Sequence, residues 1–208
     1  MIALGATIIA VFGLLCLSEL LWRRRNIETE YTRKFVHISV GSFVAFWPLF
    51  LSTDQIIGLS LAFVVVVLLS NYLQIFKAVH SVQRPTWGEI MFALSVGIVA
   101  MVAHSGWVYL AALLHMSLAD GLAAVLGTKF GRSTRYRIFG QYKSIVGTVT
   151  FLSVSLCILV GYALFTPNAF SLWFIPLVVA ATILENVSVR GLDNLLVPVL
   201  VAIVLNRL

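Results

Sequence analysis

The chain has 208 residues, of which 61% are hydrophobic and only 11% are charged, and its mean hydropathy is +1.03. A soluble domain carries about a quarter of charged residues, so this composition excludes an ordinary soluble protein and predicts an integral membrane protein. The net charge of +6 does not indicate nucleic-acid binding, because the basic residues lie on short segments between apolar runs with no binding module.

Eight apolar runs follow one another along the chain. Their length and continuity predict transmembrane helices, because every backbone group in a bilayer must be satisfied within the protein. We expect an all-α integral membrane protein, a single domain over residues 1–208 built as one bundle of about eight transmembrane helices. The runs cover residues 2–22, 35–51, 56–76, 88–104, 107–127, 145–166, 171–187 and 193–206.

Basic residues are confined to one side of this predicted bundle. If the eight helices alternate in direction, the segments 23–34, 77–87, 128–144 and 188–192 share one face and hold every Lys and Arg except Arg207. The positive-inside rule makes that face cytoplasmic and places both termini outside. We therefore expect a multi-pass protein, in the plasma membrane if the organism is prokaryotic, whose polar chemistry faces the cytoplasm.

Several acidic residues lie within the apolar runs or at their cytoplasmic ends. A carboxylate inside a membrane is costly and marks a candidate functional site. Asp120 lies in the fifth run, roughly 10 Å from Gly127 at 1.5 Å per residue, and an ion pair with a neighbouring helix is the alternative interpretation. Glu185 and Asp193, with Asn194, offer oxygen ligands for a hard cation such as Mg²⁺, whereas Asp193 could instead cap a helix.

The segment 127–148 has the composition of a phosphate-binding loop. Its glycines allow backbone N–H groups to converge on an anion, its Lys and Arg residues neutralise the charge, and the start of the sixth helix adds free N–H groups. Alternatively, its basic residues bind anionic head groups and its small residues let helices pack closely. The candidate phosphate contacts in this region are Ala124, Gly127, Lys129, Gly131, Lys143, Ser144, Gly147 and Thr148.

Polar residues before the second run predict another anion contact. In "ETEYTRKFVH" (28–37), Arg33 and His37 are four residues apart on one helical face, and Lys34 is adjacent. The alternative is that the Arg and Lys side chains extend from the helix end to the membrane surface.

The segment "RPTWGEIMF" (84–92) begins the fourth run. Arg84 and Glu89 could line the same polar pocket as the other acidic residues. The spacing of Thr86 and Glu89 just before an apolar run is also typical of a capping box, which would explain both residues structurally.

Five segments together resemble, in order, the motifs of the polyprenol kinase family, which contains dolichol, phytol and farnesol kinases and the yeast-type CTP-dependent diacylglycerol kinase. The resemblance runs from about residue 28 to residue 198. It implies a membrane-embedded kinase that transfers the γ-phosphate of CTP, or of another nucleoside triphosphate, to the terminal hydroxyl of a lipid alcohol, with Mg²⁺ or another divalent cation. The segments are "ETEYTRKFVH", "RPTWGEIMF", "LADGLAAVLGTKFG", "KSIVGT" and "ENVSVRGLDNLLVP".

The resemblance also implies which residues form the site. It assigns Asp120, Gly127, Gly131, Lys143 and Gly147 to the nucleotide. If Asp120 takes the hydroxyl proton, the metal is held elsewhere. If Asp120 holds the metal, Glu89 or Asp193 becomes the candidate base. The predicted residues are Asp120, Glu89 and Lys143 for catalysis; Arg33, Lys34, His37, Arg84, Ala124, Gly127, Lys129, Gly131, Lys143, Ser144, Gly147 and Thr148 for the nucleotide; and Asp120, Glu185, Asp193 and Asn194 for the metal.

Two other functions stay open at this point. A phosphatidate-cytidylyltransferase-like enzyme shares part of the motif order, but it usually ends in an acid-rich D-R-x-x-D motif, where "RGLDN" has one acid. A transporter or lipid-binding protein would more typically show repeated halves and midplane polar sites. Within the family, Val146 replaces an acid found in dolichol kinases, which favours a phytol-kinase-like member. The sequence leaves the lipid alcohol and the oligomeric state, a homodimer included, undetermined.

Overall fold

The computed structural model describes residues 2–25, 29–73, 87–166 and 170–208. Within these ranges there are eight helices, one for each predicted apolar run, so the prediction of an all-helical chain is confirmed. They are α1 (Ile2–Arg25), α2 (Thr29–Ala45), α3 (Thr53–Leu73), α4 (Gly88–Val102), α5 (Gly106–Phe130), α6 (Ile145–Phe165), α7 (Phe174–Val187) and α8 (Asp193–Leu205).

Three of the described helices are long and apolar enough to cross a membrane. They comprise Thr53–Ser70 within α3, Gly106–Phe130 and Ile145–Phe165, and the shorter helices α4, α7 and α8 are also apolar. The structure is therefore that of an apolar helical bundle, in which three described helices have the length and composition of membrane spans. The count of eight spans and the outer position of both termini stay predictions.

The second helix differs from its predicted bounds. It begins at Thr29 and ends at Ala45, whereas the apolar run covers residues 35–51, and a 3-10 turn follows at Trp47–Leu49. Hydropathy places a boundary at charged residues, but Lys34 is buried and the helix continues through it. Lys34 and His37, in the first half of α2, are therefore packed inside the protein.

Helix α5 lies at the centre of the bundle, where it contacts α2, α4, α6 and α8. Its middle is fully buried at Leu113 and His115. A π-helical turn, His115–Ala119, interrupts the α-helix directly before Asp120. Because a π turn adds a residue, it changes the face that the following residues present, and such turns are frequent at functional sites.

Glycines allow α2 and α5 to approach each other closely. A Cβ atom on Gly121 would lie 2.2 Å from Ile38 Cγ1, and a Cβ atom on Gly41 would lie 2.4 Å from Ser117 Cβ. No larger residue fits at either position unless the neighbouring side chains or the helices move. This close approach follows the rule that small residues form helix interfaces in membranes, and it brings the polar start of α2 next to Asp120.

A β-hairpin precedes α6 in the segment for which the sequence predicts a loop. Strand β1 (Arg135–Ile138) pairs antiparallel with β2 (Gln141–Ser144). The two turn residues have positive φ, 45° at Phe139 and 81° at Gly140, as a type I′ turn requires. This hairpin was not predicted from the sequence, and its paired strands satisfy the backbone groups of the segment; the phosphate-binding role of the segment stays a prediction.

Candidate active site

Three carboxylates from different helices converge at one place, which we call the carboxylate cluster. Asp120 belongs to α5, Glu185 lies in the last turn of α7, and Asp193 begins α8. One oxygen atom from each of the three lies within 4.8 Å of the others. Asp120 and Glu185 are buried, and Asp193 is partly exposed. The structure therefore brings together the three acids that the sequence predicts as metal ligands.

Asp120 is paired with two side chains of α2. Lys34 Nζ donates to Asp120 Oδ2 at 2.6 Å, and His37 Nε2 lies 3.2 Å from the same oxygen and 2.9 Å from the Met116 carbonyl. Lys34 and His37 are both buried, and the edge of the His37 ring contacts Phe92. The alternative interpretation of Asp120, an ion pair with a neighbouring helix, is therefore confirmed, and its role in chemistry stays a prediction.

Lys143 binds the second carboxylate of the cluster. Its Nζ donates to the Glu185 carboxylate and, at 3.0 Å, to the Glu185 backbone carbonyl near the end of α7. Burial lowers the pKa of Lys143, but the negative charges of Glu185 and Asp193 outweigh this effect and raise its pKa above the usual value. The ammonium group is therefore charged at neutral pH.

The carboxylate cluster fits a hard divalent cation. Mg²⁺ is bound through carboxylate oxygens and keeps several waters, and Asp193 makes no ion pair within 4.0 Å with any residue that the structure describes. Asn194, the fourth predicted ligand, is buried and donates from Nδ2 to the Gly88 carbonyl at 3.0 Å. Its Oδ1 has no hydrogen-bond partner among the described residues.

The predicted glycine contacts pack against the start of α6. A Cβ atom on Gly131 would lie 2.4 Å from Ser144 Oγ, one on Gly127 would lie 2.8 Å from the same atom, and one on Gly147 would lie 3.0 Å from the Ala123 carbonyl. Ser144 caps α6 by accepting from the Gly147 N–H at 3.1 Å. These residues therefore form a helix contact and a cap, which is the alternative interpretation, and their contact with a nucleotide stays a prediction.

A hydrogen-bond network fixes the hairpin to the helices behind the cluster. The Tyr136 hydroxyl bonds to Thr148 and Asn186, and Thr148 Oγ1 donates to Asn186 Oδ1 at 3.1 Å. Asn186 Nδ2 in turn donates to the Thr182 carbonyl at 2.9 Å. Thr148 was predicted as a nucleotide contact, but Tyr136 and Asn186 were not predicted. The signal was available, since Asn186 is a second polar residue beside Glu185 near the end of an apolar helix.

Three predicted nucleotide contacts make no described contact with the carboxylate cluster. Ala124 is half-buried on α5. Lys129 is exposed near the end of α5, and its Nζ lies 5.1 Å from the centre of the Phe130 ring. Arg84 lies outside the described residues. Their proposed roles stay predictions.

A cavity with a polar end and apolar walls lies beside His37. Arg33, His37, Glu89 and Asn194 line its polar end. Glu89 is half-buried in the first turn of α4. The helix begins at Gly88, and the Trp87 side chain before it makes no capping hydrogen bond. Thr86 lies outside the described residues, so the capping box stays a prediction. Glu89 lines the cavity.

Together these features define an apolar helical protein with a buried site of carboxylates and ammonium groups beside a cavity. A protein named phytol kinase from Synechocystis sp. is 36% identical over 209 residues, which cover 95% of this chain and 87% of that protein. The chain therefore belongs to the polyprenol kinase family, and it is a phosphotransferase with an alcohol acceptor. No protein-family model and no solved structure matches the chain.

Proposed function

We propose that the protein phosphorylates the terminal hydroxyl of an isoprenoid alcohol such as phytol, farnesol, geranylgeraniol or a longer polyprenol, or of diacylglycerol, with CTP or another nucleoside triphosphate as donor. The observation that carries this proposal is the carboxylate cluster, with its two ammonium groups, next to a cavity that is polar at one end and apolar along its walls. The segregation of basic residues supports a site that faces the cytoplasm.

The carboxylate cluster would hold the divalent cation through Asp120, Glu185 and Asp193. A bound Mg²⁺ would neutralise negative charge on the phosphates during transfer. Asp193 suits this role because its carboxylate makes no described ion pair and is partly exposed, so it can be reached from outside the bundle. The Asn194 side-chain amide donates a hydrogen bond to the Gly88 carbonyl and so links α8 to α4.

The two lysines would bind the phosphates of the nucleotide. Lys34 and Lys143 each place an ammonium group within hydrogen-bond distance of a cluster carboxylate. An ammonium group forms strong, charge-assisted hydrogen bonds with phosphate oxygens. Because the two lysines come from α2 and β2, they approach the cluster from different elements and can contact different phosphates of one nucleotide.

The alcohol would enter from the cavity, with its hydroxyl at Glu89. The hydroxyl oxygen forms a bond to the γ-phosphorus, and the bond between that phosphorus and the bridging oxygen breaks, so the nucleoside diphosphate leaves. The hydroxyl proton goes to the Glu89 carboxylate, which acts as the base. Glu89 suits this role better than Asp120, because the Asp120 carboxylate is already bound by Lys34 and His37.

A transfer assay tests the proposal directly. Purified protein is incubated with each alcohol, Mg²⁺ and CTP labelled at the α- or the γ-phosphate, and ATP and UTP are compared as donors. We expect γ-label in the lipid and release of CDP. Label from the α-phosphate with release of pyrophosphate would instead identify a cytidylyltransferase. No transfer to any alcohol from any donor would refute the enzymatic proposal and favour a lipid-binding protein or transporter.

Two variants extend the assay to the site. Asp120→Asn should abolish transfer while the protein stays folded, because it removes a cluster charge and weakens the contact with Lys34. Glu89→Gln should lower transfer by at least about 100-fold, the lower range for a general base. Unchanged transfer in Glu89→Gln would remove Glu89 from the reaction.

A further inference from the structure

We propose that the cavity at Glu89 continues outward as a groove between α1, α2, α3 and α4 that binds the hydrocarbon tail of the alcohol and limits its length. This inference rests on the proposed function, since it names where the tail of that substrate lies. It goes further by assigning a tail site to residues outside all five sequence motifs, on α1 and α3.

The groove consists of two cavities that share a wall. The inner cavity includes Glu89 and Asn194, and the outer cavity reaches Thr7 and Trp47. Leu15, Val40, Phe63, Val66 and Phe92 line both cavities, so the two cavities adjoin.

The chemistry of the groove changes along its length. At the inner end lie Glu89, the proposed acceptor of the hydroxyl proton, and Asn194 Oδ1, a second buried acceptor that has no hydrogen-bond partner among the described residues. The other residues that line the inner cavity are apolar, apart from Arg33, His37 and Ser70. A molecule with one hydroxyl and a long hydrocarbon tail matches this order of polar and apolar surfaces.

Helix α2 gives the length of the groove. His37 lies at its inner end and Trp47, in the turn after α2, at its outer end. The eight residue steps from His37 to Ala45 span about 12 Å at 1.5 Å each, and the two steps to Trp47 bring the length to about 15 Å. An extended chain covers roughly 1.2 Å per bond, so the groove holds about 12 carbon atoms of the main chain. Trp47 is only 5% exposed and lines the outer cavity. A longer tail would leave through the exposed side of the groove, where Ala62 is one of the lining residues.

Three substitutions on α3 test this assignment. Ala62 lines only the outer cavity, Val66 lines both cavities, and Val65 is 55% exposed on the outer surface of the same helix. Each is replaced by Phe, and Val65→Phe is the matched control. Ala62 and Val66 are one turn apart, about 6 Å, which corresponds to about five main-chain bonds, slightly more than the four main-chain carbons of one isoprene unit.

The variants are assayed with geraniol, farnesol and geranylgeraniol, which lengthen by one isoprene unit each. We expect Ala62→Phe to lower kcat/KM for geranylgeraniol at least about tenfold relative to geraniol, a loss of 1.4 kcal/mol of tail binding. We expect Val66→Phe to lower kcat/KM for both farnesol and geranylgeraniol at least about tenfold relative to geraniol. Val65→Phe should keep the profile of the unmodified protein.

The outcomes separate the tail site from the proposed function. If the unmodified protein transfers phosphate but Val66→Phe and Val65→Phe give the same chain-length profile, the tail site is wrong and the kinase proposal stands. If no alcohol is phosphorylated, a photoreactive geranylgeraniol tests the groove separately. Labelling at Val66 and Phe63 that Val66→Phe abolishes would support the groove, and labelling confined to exposed residues such as Val65 would overturn it.

Discussion

A methyl group at position 121 should force α2 and α5 apart. The Cβ atom of an alanine there would lie 2.2 Å from Ile38 Cγ1 and 2.9 Å from Ile38 Cδ1. The Ile38 side chain is β-branched, so it has few other rotamers available within a helix. Because Gly121 directly follows Asp120, the displacement also acts on the 2.6 Å ion pair between Lys34 and Asp120.

The expected cost follows from the contact and from a matched control. Overpacking of a tight contact costs about 1–3 kcal/mol, whereas replacing glycine by alanine within a helix gains about 1 kcal/mol. A Cβ atom on Gly161 in α6 would lie in open space, with no contact within 4 Å. Gly161→Ala should therefore show only the gain in helix stability and no overpacking cost. The two variants should therefore differ by the overpacking cost, which corresponds to about 2–12 °C in Tm for a chain of this size.

Thermal unfolding in detergent micelles measures this difference, and phosphate transfer well below both Tm values measures the effect on the site. Gly121→Ala should lower the Tm and the transfer rate, and Gly161→Ala should lower neither. Adding Ile38→Ala leaves only the Ile38 Cβ position, 3.6 Å away, so the double variant should be less destabilised than the sum of the single variants. Equal Tm values for the two glycine variants, or strict additivity, would refute the reasoning.

Three further predictions concern the cluster and the hairpin. Lys34→Met should raise the affinity of the nucleotide-free protein for Mn²⁺ at least about tenfold, because it removes about 1.4 kcal/mol of repulsion between the ammonium group and the cation. Calorimetry measures this affinity, and an unchanged value would show that Asp120 is not a ligand. Asp193→Asn should lower the same affinity, whereas Asp54→Asn, at an exposed position, should not; equal effects would exclude the cluster. Thr148→Val should lower the free energy of unfolding by about 0.5–1.5 kcal/mol, because one hydrogen bond to Asn186 is lost while Tyr136 still bonds to Asn186, and an unchanged Tm would contradict this.

The helices could be predicted from the sequence because apolar runs of this length have few alternatives in a membrane. The start of α2 could not be predicted in this way. Hydropathy places a helix boundary at Lys34 and cannot show that Asp120 neutralises its charge. The hairpin was missed for a different reason. Its turn places Phe139 at positive φ, where Asn or Asp is usual, and its strands are only four residues long.

The site could be predicted in part. Asp120, Glu185 and Asp193 all lie near the predicted cytoplasmic ends of their helices, so their convergence follows from the topology. The ion pair between Asp120 and Lys34 does not follow from the topology, because the two residues are 86 positions apart in the sequence. That contact depends on the close packing of α2 on α5 and on the π-helical turn before Asp120. Neither is encoded in hydropathy, and a π turn breaks the regular spacing that a helical-face argument assumes.

The charges of the site explain why lysines and carboxylates are placed in direct contact. Three carboxylates alone would repel the phosphates of a nucleotide, and two ammonium groups alone would repel a divalent cation. Lys34 and Lys143 each share a carboxylate with the candidate metal ligands. When a carboxylate binds a cation, its ion pair with the neighbouring lysine becomes weaker. The ammonium group of that lysine can then bind phosphate more readily. Cation and nucleotide should therefore each raise the affinity of the other by the same factor, and Lys34→Met should reduce both factors equally.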